Sequence, residues 1–370
     1  MIDKAHYIEE LKAIVNLDCG SFTPKGVTRV AEFIKEKFEP LGFSFQSIDV
    51  GNEVANLLVG KNCNEDTFDV VISGHMDTVF PEGTSAKIPL RVEGNYVYGA
   101  GVQDMKCGII NALYAFRLLG KETLSKLKIG LVFSPDEEIS SRFSKEEIKK
   151  FSKGSKLALV VEASPNFQTL TRARKSIARY NITIKGKSAH SSRPQEGASA
   201  IKALGEIITK LYALQELDKG ITVNIGTVKG GMGANTVPSD AELSFEMRHL
   251  SIDDFNTSQK AYDAIIKAEY EKDICVTSTL VSFKPPMEIV GDSQKYQDLI
   301  TACMAEFGYK TEYITGAGGS DGNYIASMGV PVIDAIGGVG KGAHSQNEYI
   351  ELEETLKRVE LLRNVILKLI

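Results

Sequence analysis

A histidine and an aspartate stand two apart in Ser73-Gly74-His75-Met76-Asp77-Thr78-Val79. The apolar run Phe68-Asp69-Val70-Val71-Ile72 before them predicts a buried strand, so His75 and Asp77 fall where that strand ends. Along a strand, side chains at i and i+2 share a face, which brings an imidazole and a carboxylate together. A carboxylate beside a ligating histidine suits a metal site that orients its own ligand. On its own the stretch is also compatible with a surface turn. Further candidates downstream shift the balance: Asp104 in the loop Gly99-Ala100-Gly101-Val102-Gln103-Asp104, Glu137 and Glu138 after one apolar run, Glu162 after another, and His344 in Gly342-Ala343-His344-Ser345.

Two histidines with several carboxylates suit divalent zinc in an oxygen-rich site, and the absence of cysteine from the set disfavours a structural zinc site. Two metals a few ångströms apart need a bridging carboxylate to offset their repulsion. Asp104 can bridge, because one carboxylate has two oxygens. His75 and Glu162 can complete one metal, and Glu138 with His344 the other. Glu137 then remains unligated, a base beside water activated at the site.

The elements that must position these residues follow from periodicity. Helices are expected at 7–16 and 27–39 and strands around 43–50, 54–60 and 68–74. A hairpin is expected at 88–99 with its turn near Gly94-Asn95, a helix at 105–119, and strands at 127–134 and 157–161. Strands alternating with helices make an α/β domain, whose ligands gather beyond the carboxyl ends of the strands. From about 175 the pattern becomes strand 176–185, helix 197–215, strands 221–229 and 240–247, helix 252–270 and strand 275–283. This β-α-β-β-α-β order is that of a ferredoxin-like two-layer unit. It reads as an insertion (175–285) into a discontinuous domain (1–174 and 286–370), with Lys284-Pro285-Pro286 marking the return. A helix near 292–306, the glycine loop Gly316-Ala317-Gly318-Gly319-Ser320-Asp321, a strand at 330–334 and a final helix complete the chain.

At 370 residues two domains are expected, and 43% hydrophobic with 25% charged residues is a globular composition with ample core. A net charge of −5 argues against nucleic acid or an anionic membrane as main partner. The five cysteines (Cys19, Cys63, Cys107, Cys275, Cys303) are scattered, with no C-x-x-C pair, so reduced thiols are expected. The first residues lack a basic stretch followed by an apolar core, and a cytoplasmic location is expected.

The words His75-Met76-Asp77-Thr78-Val79, Arg91-Val92-Glu93-Gly94, Tyr98-Gly99-Ala100-Gly101-Val102-Gln103-Asp104-Met105-Lys106 and Asp136-Glu137-Glu138 resemble the dizinc metallopeptidases of family twenty. That superfamily includes glutamate carboxypeptidase, acetylornithine deacetylase and succinyl-diaminopimelate desuccinylase, and the hairpin words are most similar to the first. The resemblance implies a zinc-peptidase-like α/β catalytic domain with an inserted lid and dimerisation domain. It implies two zinc ions per chain, with cobalt or manganese as substitutes. The ligands would be His75, Asp104 (bridging), Glu138, Glu162 and His344, with Asp77 orienting His75 and Glu137 as general acid/base. In the insertion, His190 of Gly186-Lys187-Ser188-Ala189-His190-Ser191 resembles the histidine that enters a neighbouring subunit's site. Asn235 and Arg248 resemble contacts to a substrate carboxylate, and Gly318 and Gly319 the substrate-side glycine loop.

Gln103 and Cys107 depart from the pattern, which usually has small residues there. Cys107 stands near a helix start, where a thiolate can be favoured, although a packed side chain is expected. Arg248 ends a strand and can equally pair with an acid, and His6 and His249 have no partner motif and read as structural. The activity implied is zinc-dependent amide hydrolysis by a homodimeric carboxypeptidase releasing a C-terminal amino acid such as glutamate. The alternatives are an N-acyl amino-acid deacylase and, from another class, a catalytically silent binding protein on the same fold.

Overall fold

A strand whose residues are apolar without alternation must be covered on both faces, and the inner strands of the largest sheet are of this kind. The computed structural model describes residues 2–370. They form two units, one from the chain up to Ala173 together with Met287–Ile370, the other Arg174–Pro286. The expected insertion, 175–285, lies one residue inside this division at each end.

The first unit begins with helices α1 (Lys4–Val15) and α2 (Pro24–Phe38), strands β1 (Ser44–Ile48), β2 (Leu57–Lys61) and β3 (Val70–His75), and the short α3 (Thr84–Lys87). The hairpin β4 (Arg91–Glu93) and β5 (Tyr96–Tyr98) follows, then α4 (Cys107–Leu124), β6 (Ile129–Ser134), α5 (Lys145–Ser152), β7 (Ala158–Val160) and β8 (Thr169–Arg174). The second unit contributes β9 (Ile177–Lys185), β10 (Ala189–His190), α6 (Ala200–Tyr212), β11 (Thr222–Gly230), β12 (Thr236–Val237), β13 (Asp240–Arg248), α7 (Ile252–Lys267) and β14 (Cys275–Lys284). The first unit then resumes with α8 (Ser293–Ala305), β15 (Glu312–Gly316), α9 (Gly322–Ala326), β16 (Val332–Ile333), β17 (Gly340–Lys341), β18 (Tyr349–Glu351) and α10 (Leu352–Leu367).

The six-stranded sheet has the order β1-β2-β6-β3-β7-β16. It is antiparallel from β1 to β6 and parallel from β6 to β16. Alternate residues of β3 serve opposite faces. Val70 and Ile72 join Ile109 and Leu113 of α4 and Leu362 of α10 in one core, whereas Val71 joins Ile148 of α5 and Ile325 of α9 in another. The carboxyl ends of β3, β6 and β7 therefore lie side by side. A smaller sheet, β17-β18-β5-β4, fixes the segment around His344 against the hairpin that precedes Asp104.

The second unit is an antiparallel sheet of order β11-β13-β9-β14. Tyr180, Ile182 and Ile184 of β9 pack against Leu204 and Ile207 of α6 and Tyr262 of α7. Ser199 caps α6 by accepting the Lys202 N–H, and Ser251 caps α7 by accepting that of Asp254.

Element ends differ from expectation where local signals were weak. Helix α4 begins at Cys107 rather than 105, because Asp104 and Met105 are non-helical in a tight turn before it. It also runs on to Leu124 past a break at Gly120, which has φ 74°. Helix α5 was not expected, since Ile148 and Ser152 are its buried residues and, apart from Phe151, the rest of its sequence is charged. The pair β8–β15 joins segments far apart in sequence and has no local signature. All five cysteines are free. Among the described residues no helix is long and apolar enough to cross a membrane.

Candidate metal centre

His75 is the last residue of β3, with its side chain buried. Asp77 lies beyond the strand, in the turn. Its backbone carbonyl, 3.0 Å from Nδ1, is the nearest contact of that nitrogen, and its carboxylate Oδ1 follows at 3.3 Å. Nδ1–H is thus the donor, and Nε2 is left to face outward. The Asp77 carboxylate also accepts the Ser21 hydroxyl (2.6 Å) and the backbone N–H groups of Glu137 (3.1 Å) and Glu138 (3.2 Å). One buried carboxylate therefore positions the histidine at the end of β3 and the two glutamates after β6.

Asp104 is carried by the turn before α4. Gly108 lets that helix approach β7, because a Cβ at 108 would lie 1.9 Å from the Val161 carbonyl. Asp104 stands between two imidazoles, Oδ1 at 3.0 Å from His75 Nε2 and Oδ2 at 3.2 Å from His344 Nε2. His344 Nε2 lies 3.2 Å from Glu138 Oε2, and His75 Nε2 lies 3.6 Å from Glu162 Oε1. The five residues marked by sequence as ligands lie near one another, His75 beside Asp104 and Glu162, and His344 beside Asp104 and Glu138.

The donor set fits divalent metal. Ligand atoms at 2.0–2.1 Å from a tetrahedral zinc stand roughly 3.3 Å from one another, and the separations above run from 3.0 to 3.6 Å. His75, Asp104 and Glu138 offer ligand atoms within 4.8 Å of one another. Glu138 Oε1 is buried with no hydrogen-bond partner, an orphan that a cation would satisfy.

Electrostatics point the same way. Burial raises the pKa of Glu162 well above the usual carboxylate range, with Asp104, Glu137 and Asp334 adding to the rise. Burial also raises Glu138. Burial opposes the charged form of His75, yet Glu162, Asp104 and Asp77 lift its pKa well above the ordinary value. Hydrogen bonds to Asp104 and Glu138 raise His344 to about 10. Burial opposes the charge of Asp104, but His344 and His75 hold its pKa below the usual range. Burial and neighbouring carboxylates hold Glu138 and Glu162 toward their neutral forms, and positive charge, on the imidazoles or from a metal, favours their ionisation.

Glu348 was not anticipated from sequence. Its buried carboxylate accepts the N–H of Gly101 (2.9 Å), Gln103 (2.7 Å) and Asp104 (2.9 Å). Gly101 sits at φ 71°, a left-handed conformation suited to glycine. Glu348 thereby holds the turn that presents Asp104. The available signal was its place four residues after His344, which is weak without knowledge of the partner loop.

In the glycine loop Gly318 is exposed and Gly319 half-buried, while Asp321 is buried and accepts the hydroxyls of Ser134 and Ser141. That aspartate anchors the loop to the end of β6. His190, Asn235 and Arg248 belong to the second unit. His190 and Asn235 are exposed neighbours, the Ser191 N–H donating to the Asn235 carbonyl at 3.0 Å. Arg248 is half-buried and paired with Glu246 at 2.7 Å, the acid partner that its strand-end position allowed. Cys107 is packed rather than reactive, since burial raises its thiol pKa. His249 is buried against Ser176, and His6 is an exposed partner of Glu9 and Glu10.

Comparison with known proteins identifies the family. Carboxypeptidase G2 of Pseudomonas sp. (strain RS-16) is 27% identical over 369 residues, covering 98% of this chain and 89% of that protein. Succinyl-diaminopimelate desuccinylase of Wolinella succinogenes is 26% identical over 364 residues, covering 94% and 95%. Among solved structures, aminopeptidase PepT of Bacillus cereus shares the fold with a TM-score of 0.82 at 23% identity, over 100% of this chain and 99% of that one. A dinuclear metal binding peptidase of family M20 from Bacillus subtilis does so with a TM-score of 0.73 at 16% identity, over 99% of each chain. A profile of peptidase family M20/M25/M40 matches residues 71–368, and the chain belongs to that family.

Proposed function

We propose that the protein is a metal-dependent amide hydrolase of carboxypeptidase type, releasing a C-terminal amino acid such as glutamate. The observation that carries this reading is the single carboxylate, Asp104, set between the Nε2 atoms of His75 and His344. In this reading His75 and Glu162 would hold one zinc and Glu138 and His344 the other, with Asp104 shared between them. Such a pair would supply Lewis acidity toward the scissile carbonyl and toward water. Glu137, held through its backbone N–H by Asp77 and outside the ligand set, takes a proton from water as the C–O bond forms and passes it to the leaving nitrogen as the C–N bond breaks. Arg248 and Asn235 receive the substrate α-carboxylate, for which a guanidinium fork is suited. Gly318 and Gly319 line the substrate side.

His190 donates to the developing oxyanion, and we assign it to the site of the partner in a cytoplasmic homodimer. Mixing tests this: verified heterodimers of His190→Ala and Glu137→Gln should regain up to about half of wild-type activity, one of two sites being whole. Activity at the parental level would place His190 outside the partner's site.

A second reading, N-acyl amino-acid deacylase, is favoured by the 26% identity to the desuccinylase, nearly equal to that to carboxypeptidase G2. The metal-loaded protein should be screened against dipeptides, N-acyl glutamates and N-acetyl or N-succinyl diamino acids, with released amino acid quantified. Release of glutamate from varied acyl groups supports the carboxypeptidase. Turnover governed by the acyl group and indifferent to the amino acid overturns it.

A further inference from the structure

The two departures from the family-like pattern, Gln103 and Cys107, both engage one segment, residues 338–343, which leads into His344. Buried Gln103 donates from Nε2 to the Gly340 carbonyl (3.0 Å) and accepts the Ala343 N–H at Oε1 (3.1 Å). Cys107 Sγ lies 2.1 Å from where a Cβ at 338 would stand. That segment therefore approaches α4 only as glycine. In the opposite direction, Glu348 reaches the backbone N–H groups of Gly101, Gln103 and Asp104. Each of the two ligand-bearing loops thus spends a buried side chain on the backbone of the other.

His344 has particular need of such support. Its side chain is 55% exposed, its backbone is left-handed at φ 65°, and the surrounding residues 341–347 are exposed. A side chain so placed points reliably only if its backbone is restrained from elsewhere. We propose that Gln103 is a positioning residue for His344, its amide fixing the Gly342–Ala343 peptide one residue ahead of that histidine so that Nε2 faces Asp104 and Glu138. The inference rests on the reading of His344 as a metal ligand. An alanine at 103 would leave the Ala343 peptide without this acceptor, and a methionine would fill the same space without restoring it.

The test is zinc titration of metal-depleted, full-length protein against a chelating indicator, for wild type, H344A, Q103M and Q103A. Wild type should bind two ions, and H344A should lose tight binding of one. Q103M and Q103A should both weaken that same ion by about 10–100-fold while leaving the other unchanged, the range known for residues that support a ligand. Melting of the metal-free variants should stay within a few degrees of wild type. Wild-type affinity in Q103M, with weakening confined to Q103A, would reduce Gln103 to a space-filler and overturn the proposal. If H344A itself binds both ions as wild type does, the ligand reading fails and this proposal with it. Loss in H344A alone sinks only the role of Gln103. Q103L serves in place of Q103M should the latter not fold.

Discussion

The carboxylate of Glu348 accepts the backbone N–H of Asp104 at 2.9 Å. A residue four positions beyond one imidazole thus fixes the peptide of the carboxylate that this imidazole faces. The metal centre is in this sense one object made of two loops, and its properties should respond to residues that touch no metal.

Removing Glu348 tests this. Glu348→Ala leaves three buried N–H groups without their acceptor and should lower stability by about 2–4 kcal/mol, since each unsatisfied group costs about 1–3 kcal/mol and water recovers part of that. Denaturant unfolding of metal-free protein measures it. Glu348→Gln, which keeps an acceptor oxygen, should lose less than half as much. Equal losses in the two would mean that the backbone bonds are not what Glu348 supplies.

Adjacent glutamates should separate cleanly. Glu137→Gln should lower kcat by about 10²–10⁴ with metal content near normal, because a proton carrier is lost and no ligand is. Glu138→Gln should weaken retention of one ion, at least about tenfold. Metal analysis beside steady-state kinetics distinguishes them, and the reverse pattern would exchange the two roles.

A pH effect is expected from the second unit. His249 is buried, its Nδ1 lies 3.3 Å from the Ser176 hydroxyl, its Nε2 is buried without a hydrogen-bond partner, and the Phe255 ring packs edge-on. Burial lowers its pKa to about 4, with Lys175 acting in the same direction and Asp254 against it. The folded pKa lies below the unfolded value of about 6.5, so the unfolded chain takes up the proton first as pH falls. The stabilisation is complete above about 6.5 and lost on descending toward 4. At pH 5 wild type should have lost on the order of 1–2 kcal/mol relative to pH 7 through this residue. Urea unfolding of metal-free wild type and His249→Phe at both pH values isolates it. A parallel pH response in the two proteins would remove His249 as the cause.

What was legible in the sequence was whatever local chemistry encodes. His75, Glu138 and Glu162 follow apolar runs that could only be buried strands, so their convergence at strand ends followed from the α/β pattern. The βαββαβ order of the second unit was legible because each amphipathic period was long. Glu348 and the amide of Gln103 were not, because their partners are backbone groups more than 230 residues away in sequence. Asp77 was read as orienting His75 through a shared strand face. It does so from a turn, chiefly through its carbonyl, and no periodicity announces its hold on the N–H groups of Glu137 and Glu138.

The division of the first unit around the second has a consequence for synthesis. Strand β16 and helix α10, which cover the β7 edge and pack in the core shared with α4, are made after residue 286. The second unit is contiguous and can complete its own core while the earlier half still awaits that cover. His344 and Glu348 emerge with the last part of the chain. A nascent or prematurely terminated polypeptide therefore holds His75, Asp104 and Glu138 without the imidazole and clamp that close the centre. In the proposed reading, hydrolytic competence is thereby deferred until residues 344–348 have been translated.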